Sequence, residues 1–338
     1  LGEFYKINAV FGQIEDEQLV RLSKNRAKDK GGNTGTPVNP QAFFLTDKER
    51  SHFPELARIP LWKVRVRLAV IQRFNRLLPE VLPFINLGMP LRSSYLMDIL
   101  RGVKHVILWS TKERIWSEAL GKTEVPKQSL NLYLDVFVAG KLFEMKKTDF
   151  KAKKSLFSQA WKQLQEKASM LFRLKKNERA FTVQYVGLRS SDAGGPYRDS
   201  LTQICKELQS PVLPLFVRCP NGVSGVGSSR DAFVPRPSST RPLYLQLYEF
   251  LGKLMGLAIR SGDFLALNLP SIVWKPLVQE QPTKEDVKAI DILSFKVQEE
   301  MEEVVRSSGL TPEMFDQTDF KFVANNSENK IVPLLPGG

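Results

Sequence analysis

Along this 338-residue chain the apolar positions recur in two rhythms, and the changes between them mark its elements. From Ser155 to Lys176 they return every three or four residues, at Leu156/Phe157, Ala160/Trp161, Leu164, Ala168 and Leu171/Phe172. That spacing lays one apolar stripe along a helix, which Asn177 ends. Phe181 to Val186 switches to β-branched and aromatic residues at a period of two, the pattern of a strand. Next comes Ser190-Ser191-Asp192-Ala193-Gly194-Gly195-Pro196. The paired glycines permit a tight strand-to-helix turn, and Pro196 suits a first helical position, where an N–H is not needed. The helix beyond is expected to bury Leu201, Ile204, Cys205 and Leu208.

Leu243 to Arg260 is apolar almost all round, which predicts a helix in the middle of a fold. Gly252 and Gly256, four apart, share one face and are expected to let another backbone approach closely. Ser261-Gly262 ends the helix. Pro270 opens a short helix carrying Trp274 and Lys275, with Trp274 read as an anchor for that segment. Thr283 with Asp286 three residues later has the form of a capping box for a helix running through Ile290, Ile292/Leu293, Val297 and Met301 to Val305. Phe320–Val323 and Ile331–Leu334, joined by residues 325–329, read as a hairpin. Upstream, residues 1–22 predict a strand and a short helix. Residues 23–41 form a polar, Gly- and Pro-bearing linker, and 42–139 is mostly helical, with 129–138 included in that reading. The fold class is therefore α+β and predominantly helical.

Composition narrows the functions available. The chain is 42% hydrophobic and 25% charged, as an ordinary globular protein is. Two cysteines cannot build a disulfide scaffold, so a reducing, cytoplasmic setting is expected. Two histidines exclude a His-rich metal site, and the acidic residues are scattered, so no metal and no cofactor is assigned. The most apolar run, Leu77 to Leu91, is broken by Pro79, Glu80, Pro83 and Pro90, and no membrane span is expected. The first residue is Leu1, with no signal peptide behind it, so the sequence reads as an internal piece of a longer protein or a processed product. Charge is uneven: residues 51–200 hold 27 Lys+Arg against 13 Asp+Glu, whereas 201–338 hold 14 against 16.

Each candidate for chemistry has a plainer reading beside it. Cys205 lies on the apolar face of a helix and behaves as a small hydrophobe. Cys219 sits in a turn beside Arg218, which favours the thiolate, yet neither histidine is near to act as a base. Residues 222–229 (GVSGVGSS) suggest a phosphate loop but lack the lysine after the last glycine, which leaves a flexible surface loop. The basic stretch 141–180, with Phe143, Phe150, Phe157, Trp161 and Phe172 among its lysines, offers a nucleic-acid or acidic-membrane surface. Because Phe157, Trp161, Leu164 and Leu171 share a stripe, a solvated lysine face over a core-facing helix is preferred, and nucleic acid is not the expected partner. No catalytic set emerges from the residues alone.

In order along the chain, six pieces resemble the N-terminal lobe of HECT-type E3 ubiquitin ligases, in the style of the giant members. They are the Trp-bearing helix with its strand; Asp192-Ala193-Gly194-Gly195-Pro196-Tyr197-Arg198-Asp199; Phe250 to Ile259 with Gly252 and Gly256; Val273-Trp274-Lys275; Glu285-Asp286 with Ile290-Asp291; and Val332 to Gly338 ending in Pro-Gly-Gly. The resemblance implies a partial HECT domain over 141–338 and an upstream helical region over 1–140. It singles out Asp192, Gly194, Gly195, Arg198, Gly252, Gly256, Trp274, Lys275, Asp286 and Asp291 as structural motif residues. It implies a ubiquitin-conjugating enzyme (E2), ubiquitin and protein substrates as partners. It implies no catalytic residue here, because neither Cys205 nor Cys219 stands in the Thr-Cys-Phe-like context of the family's nucleophile. Leu188 after Gly187, where the family often has a Gly-Glu pair, Arg198-Asp199 in place of an Arg-Glu pair, and a divergent loop from Arg218 to Pro242 depart from the family pattern.

Overall fold

The computed structural model describes residues 16–23, 42–52, 59–81, 95–128, 130–188, 195–309, 323–326 and 330–334. The chain divides into two compact units, Leu1–Lys122 and Thr123–Gly338. Residue 140, where the sequence reading divides it, lies inside a helix of the second unit. The linker expected at 23–41 lies almost wholly outside the described residues, as does the strand expected before residue 16.

The first unit is helical. A helical segment over 16–23 is followed by α1 (Asp47–His52), α2 (Leu61–Val81), α3 (Tyr95–Gly102), a 3-10 turn (Lys104–Val106) and α4 (Trp109–Gly121). Its core gathers Leu19, Val20, Phe43, Leu45, Val64, Leu68, Ile71, Val106 and Leu108. Two polar groups are built into this core. Arg67, fully buried, forks onto Asp16 with Nε–Oδ1 at 2.7 Å and Nη2–Oδ2 at 2.6 Å. Asn75 donates to the carbonyls of Ile71 and Val106 and accepts from the Leu108 N–H at 2.8 Å, fixing the approach to α4. A buried amide with both ends satisfied specifies one arrangement, where apolar contacts alone would tolerate several.

The second unit opens on β1 (Asn131–Leu134), where a helix was expected. Four alternating residues fit either period, and tertiary pairing decides: β1 runs parallel to β2 (Thr182–Tyr185), with Leu132 opposite Val183. Leu132, Leu134 and Val183 are all fully buried. Between the strands lie α5 (Val136–Glu144), α6 (Leu156–Leu164) and the short α7 (Ala168–Leu171). The single helix expected over 155–176 is thus two, separated at residues 165–167. Their apolar faces nevertheless follow the predicted stripe: Phe157, Ala160, Trp161, Leu164, Ala168, Leu171 and Phe172 are all core residues.

After β2 come α8 (Gly195–Leu208), the antiparallel pair β3 (Phe216–Arg218) and β4 (Phe233–Pro235) with α9 (Pro220–Ser224) between them, and α10 (Pro242–Ser261). Gly262, at φ +81°, caps α10 in the left-handed region, as the Ser261-Gly262 pair predicts. The helix packs Tyr244, Leu247, Phe250, Leu251, Leu254 and Leu257 inward, with Phe157 and Phe172 tilted against Phe250.

One expectation about α10 fails. Gly252 and Gly256 are exposed, and among the described residues nothing lies within 4 Å of a Cβ built on either. Leu245 and Ile259 are exposed as well, so the helix is two-sided rather than buried all round. A mid-helix glycine with open space around it has only its entropic cost. Gly256→Ala is therefore expected to raise the melting midpoint, stabilising by about 0.5–1 kcal/mol; a lowered midpoint in a thermal melt would reveal a close neighbour.

The unit continues with α11 (Ser271–Leu277), α12 (Lys284–Lys288), α13 (Ile292–Ser308) and the antiparallel pair β5 (Val323–Asn325) and β6 (Ile331–Pro333). The hairpin is present over the described residues; residues 320–322, where its first strand is expected to begin, and its tip, 327–329, lie outside them. The helix expected from 283 to 305 is broken at 289–291.

Candidate functional site

Two clusters of polar side chains organise the second unit. The first is at the start of α6. Ser155 caps the helix, its Oγ accepting from the Ser158 N–H at 3.1 Å. Two carboxylates add to it from opposite directions in sequence. Asp149 accepts from the N–H groups of Lys153, Lys154 and Ser155 at 2.8–3.0 Å. Glu207, from the far end of α8, accepts from Leu156 and Phe157, each at 2.8 Å. The first turn of a helix leaves its N–H groups without intrahelical partners, and negative charge is favoured there.

The two acids respond differently to their surroundings. Glu207 is 1% exposed, and burial pushes its carboxyl up to about 7 against the pull of its two backbone donors, with the nearby Asp149 charge adding to the rise. For Asp149 burial acts the same way, but the donors at 153, 155 and 154 and the Ser158 hydroxyl outweigh it and hold the carboxyl below its ordinary range. Glu207 also lines a groove of about 370 Å³ between α5 and α8, with Leu156 beneath and Tyr185 and Leu188 at the end of β2.

The second cluster joins α9 to the segment containing α11, α12 and α13. Lys275 Nζ lies 2.5 Å from Asp286 Oδ2. Asp286 also receives the Thr283 N–H at 2.7 Å, completing the capping box that the sequence predicts. The Lys275 ammonium, and after it the Thr283 N–H, hold the Asp286 carboxyl low. Trp274, part-exposed, donates its indole N–H to the Leu269 carbonyl at 2.6 Å, which anchors α11 to the extended segment before it. Asp291 caps α13 by accepting from the Ser294 N–H.

Asn221 ties these pieces together. Its amide donates to the carbonyls of Ser228 and Ala289, and its oxygen accepts from the Ile292 N–H at 2.8 Å. The segment 222–229, read from sequence as a flexible loop, instead starts inside α9 and continues into a turn closely fitted to its neighbours. A Cβ on Gly222 would stand 2.2 Å from the Arg230 carbonyl oxygen, and Gly227, at φ +83°, would press one against the Asn221 amide at 2.7 Å.

Of the ten motif residues, Lys275, Asp286, Trp274 and Asp291 fall within this second cluster. Gly195 begins α8 and Arg198 is exposed on its first turn. Asp192 and Gly194 lie outside the described residues. Gly252 and Gly256 are exposed on α10 and belong to neither cluster. Glu207, Asp149 and Asn221 were not singled out by sequence reasoning. A charged residue within an amphipathic helix gives no local sign that its partner is the start of another helix about fifty positions upstream.

Both thiols are buried. Cys205 is buried on α8, and burial pushes its thiol up to about 11. Cys219 is fully buried with Sγ 3.0 Å from the Ser229 carbonyl oxygen. Among the described residues no group of His, Cys, Asp and Glu is arranged to hold a metal, and no helix is long and apolar enough to cross a membrane. What the two clusters do is fix helix ends and the turns between them.

Comparison with known proteins gives a match over part of the chain. Residues 202–338 match the HECT domain (ubiquitin-transferase). Over 290 residues, 82% of this chain, the sequence is 28% identical to the human E3 ubiquitin-protein ligase HERC2, and the mouse protein of that name matches equally. Over 286 residues, 80% of the chain, it is 29% identical to the human probable E3 ubiquitin-protein ligase HECTD4. The chain spans only 6% and 7% of the lengths of these relatives.

Proposed function

We propose that the second unit, of which residues 202–338 match the HECT domain (ubiquitin-transferase), serves as scaffold in an E3 ubiquitin ligase and is not itself the ubiquitin acceptor. In the proposed reaction a cysteine thiolate elsewhere in the parent polypeptide attacks the E2–ubiquitin thioester. The E2 thiol leaves, and a substrate lysine then takes ubiquitin from the new thioester. The partners are accordingly an E2, ubiquitin and protein substrates, in the reducing cytoplasm. The observation that carries the scaffold role is the burial of both thiols, with Cys205 pushed up to about 11, since the attacking species is a thiolate within reach of its thioester.

The test is a charging assay with this chain, E1, E2, ubiquitin and ATP, resolved without reductant. No reductant-sensitive ubiquitin adduct is expected on the chain, while the full polypeptide that contains it becomes charged. An adduct lost in a Cys205→Ala or Cys219→Ala variant would overturn the scaffold role. A full polypeptide that is never charged would overturn the ligase reading. The competing role for 141–180 as a nucleic-acid or membrane surface is weakened by the placement of Phe157, Trp161, Leu164 and Phe172 in the core, where they cannot stack on bases or enter lipid, which leaves only Phe143 and Phe150 of the named aromatics exposed.

A further inference from the structure

The groove between α5 and α8 has two unlike walls. Val136, Ala139, Gly140 and Phe143 come from α5 at helical spacing and are apolar. Opposite them, Asp199, Gln203 and Glu207 stand four apart and form one polar row along α8, from the exposed Asp199 to the buried Glu207. Leu156, Tyr185 and Leu188 complete the lining, in which there is no Lys or Arg among the described residues. An apolar wall facing two carboxyl groups is complementary to a long aliphatic stem with a terminal cation.

From this complementarity we propose that the groove receives a lysine side chain of a protein partner, its methylenes along α5 and its ammonium against the Asp199–Glu207 row. Lysine fits better than arginine. Both oxygens of Asp199 are engaged, by the Tyr185 hydroxyl at 2.6 Å and by the Gln203 amide at 3.4 Å. Both oxygens of Glu207 accept backbone N–H groups. Each carboxyl therefore lacks the free edge that a guanidinium fork requires, but each retains lone pairs for a point charge. A cation here would also favour the ionised form of Glu207, which burial otherwise disfavours. The inference does not depend on the ligase reading.

The structure supplies a variant that blocks the groove without disturbing the fold. Gly140 lies within α5 and, among the described residues, nothing lies within 4 Å of a Cβ built on it. Gly140→Leu would fill the groove while improving the helix. The probe is a fluorescein-labelled pentapeptide with lysine between leucine and phenylalanine, titrated with the full chain by fluorescence anisotropy. Its control carries norleucine, which keeps the stem and lacks the amine. The norleucine peptide is expected to bind at least tenfold more weakly. Gly140→Leu should lose at least tenfold in affinity with its melting midpoint unchanged or raised, and the surface variant Asp199→Lys should lose as much. Equal affinity for the two peptides, undiminished binding by either variant, or no binding of the lysine peptide at millimolar concentration would each overturn the proposal.

Discussion

Glu207→Ala is expected to destabilise the second unit by ~3–5 kcal/mol, because it leaves two buried backbone donors without an acceptor and a void beside them. The donors are the N–H groups of Leu156 and Phe157, and Phe157 itself is fully buried against Phe250. The loss should appear in urea unfolding followed by tryptophan fluorescence, with Trp161 on the same helix as reporter. Glu207→Gln separates charge from shape. The folded carboxyl titrates near 7 against an ordinary value of 4.5. Below 4.5 it is neutral in both states. Between 4.5 and about 7 the folded protein keeps a proton that the unfolded chain releases, so stability falls as pH rises, by about 3 kcal/mol at most. Glu207→Gln should flatten that slope. Asp149 works in the opposite sense. Its carboxyl lies below the ordinary 3.8, so its contribution is present above that value and is lost as pH falls through the folded one. A Glu207→Gln protein that kept the full slope between 4.5 and 7 would mean that another group titrates there.

Arg67→Met should be of similar size in the first unit. Removing the guanidinium leaves the Asp16 carboxylate, 1% exposed, buried without its fork-shaped counterion, and breaking a buried pair from one side costs about 3–5 kcal/mol. Adding Asp16→Leu should restore most of the loss, since a well-packed apolar pair of similar volume substitutes for buried charges at little cost. The single and double variants, compared by urea midpoint, measure the pair. A double variant as unstable as Arg67→Met would show that the two groups hold more than each other.

What could be read from the sequence was local. The capping box at Thr283 and Asp286 needs only its own four residues, and the glycine after α10 needs only the helix it ends. The core stripe of α6 and α7 follows from spacing alone. The break between the two helices does not, because the apolar rhythm continues across it. The same continuity hid the break before Asp291, where the Asn221 side chain, seventy-one positions upstream of Ile292, receives the N–H that begins α13. The strand at 131–134 was misread because four residues carry too little period and its partner lies beyond three helices. The glycines of α10 were over-read: a shared face is visible in the sequence, but nothing in it says which way that face points. Glu207 was hidden most completely, since its role depends wholly on a helix start that its own neighbours do not encode.

The parallel pairing of β1 with β2 joins positions fifty-one residues apart. During synthesis at about 5–20 residues per second, Leu132 and Leu134 emerge roughly 3–10 seconds before Val183 can cover them. For that interval a short apolar strand stands open on the nascent chain, and shielding by a chaperone, or slow translation placed after Tyr185 rather than before it, would decide how much of the newborn protein avoids aggregation.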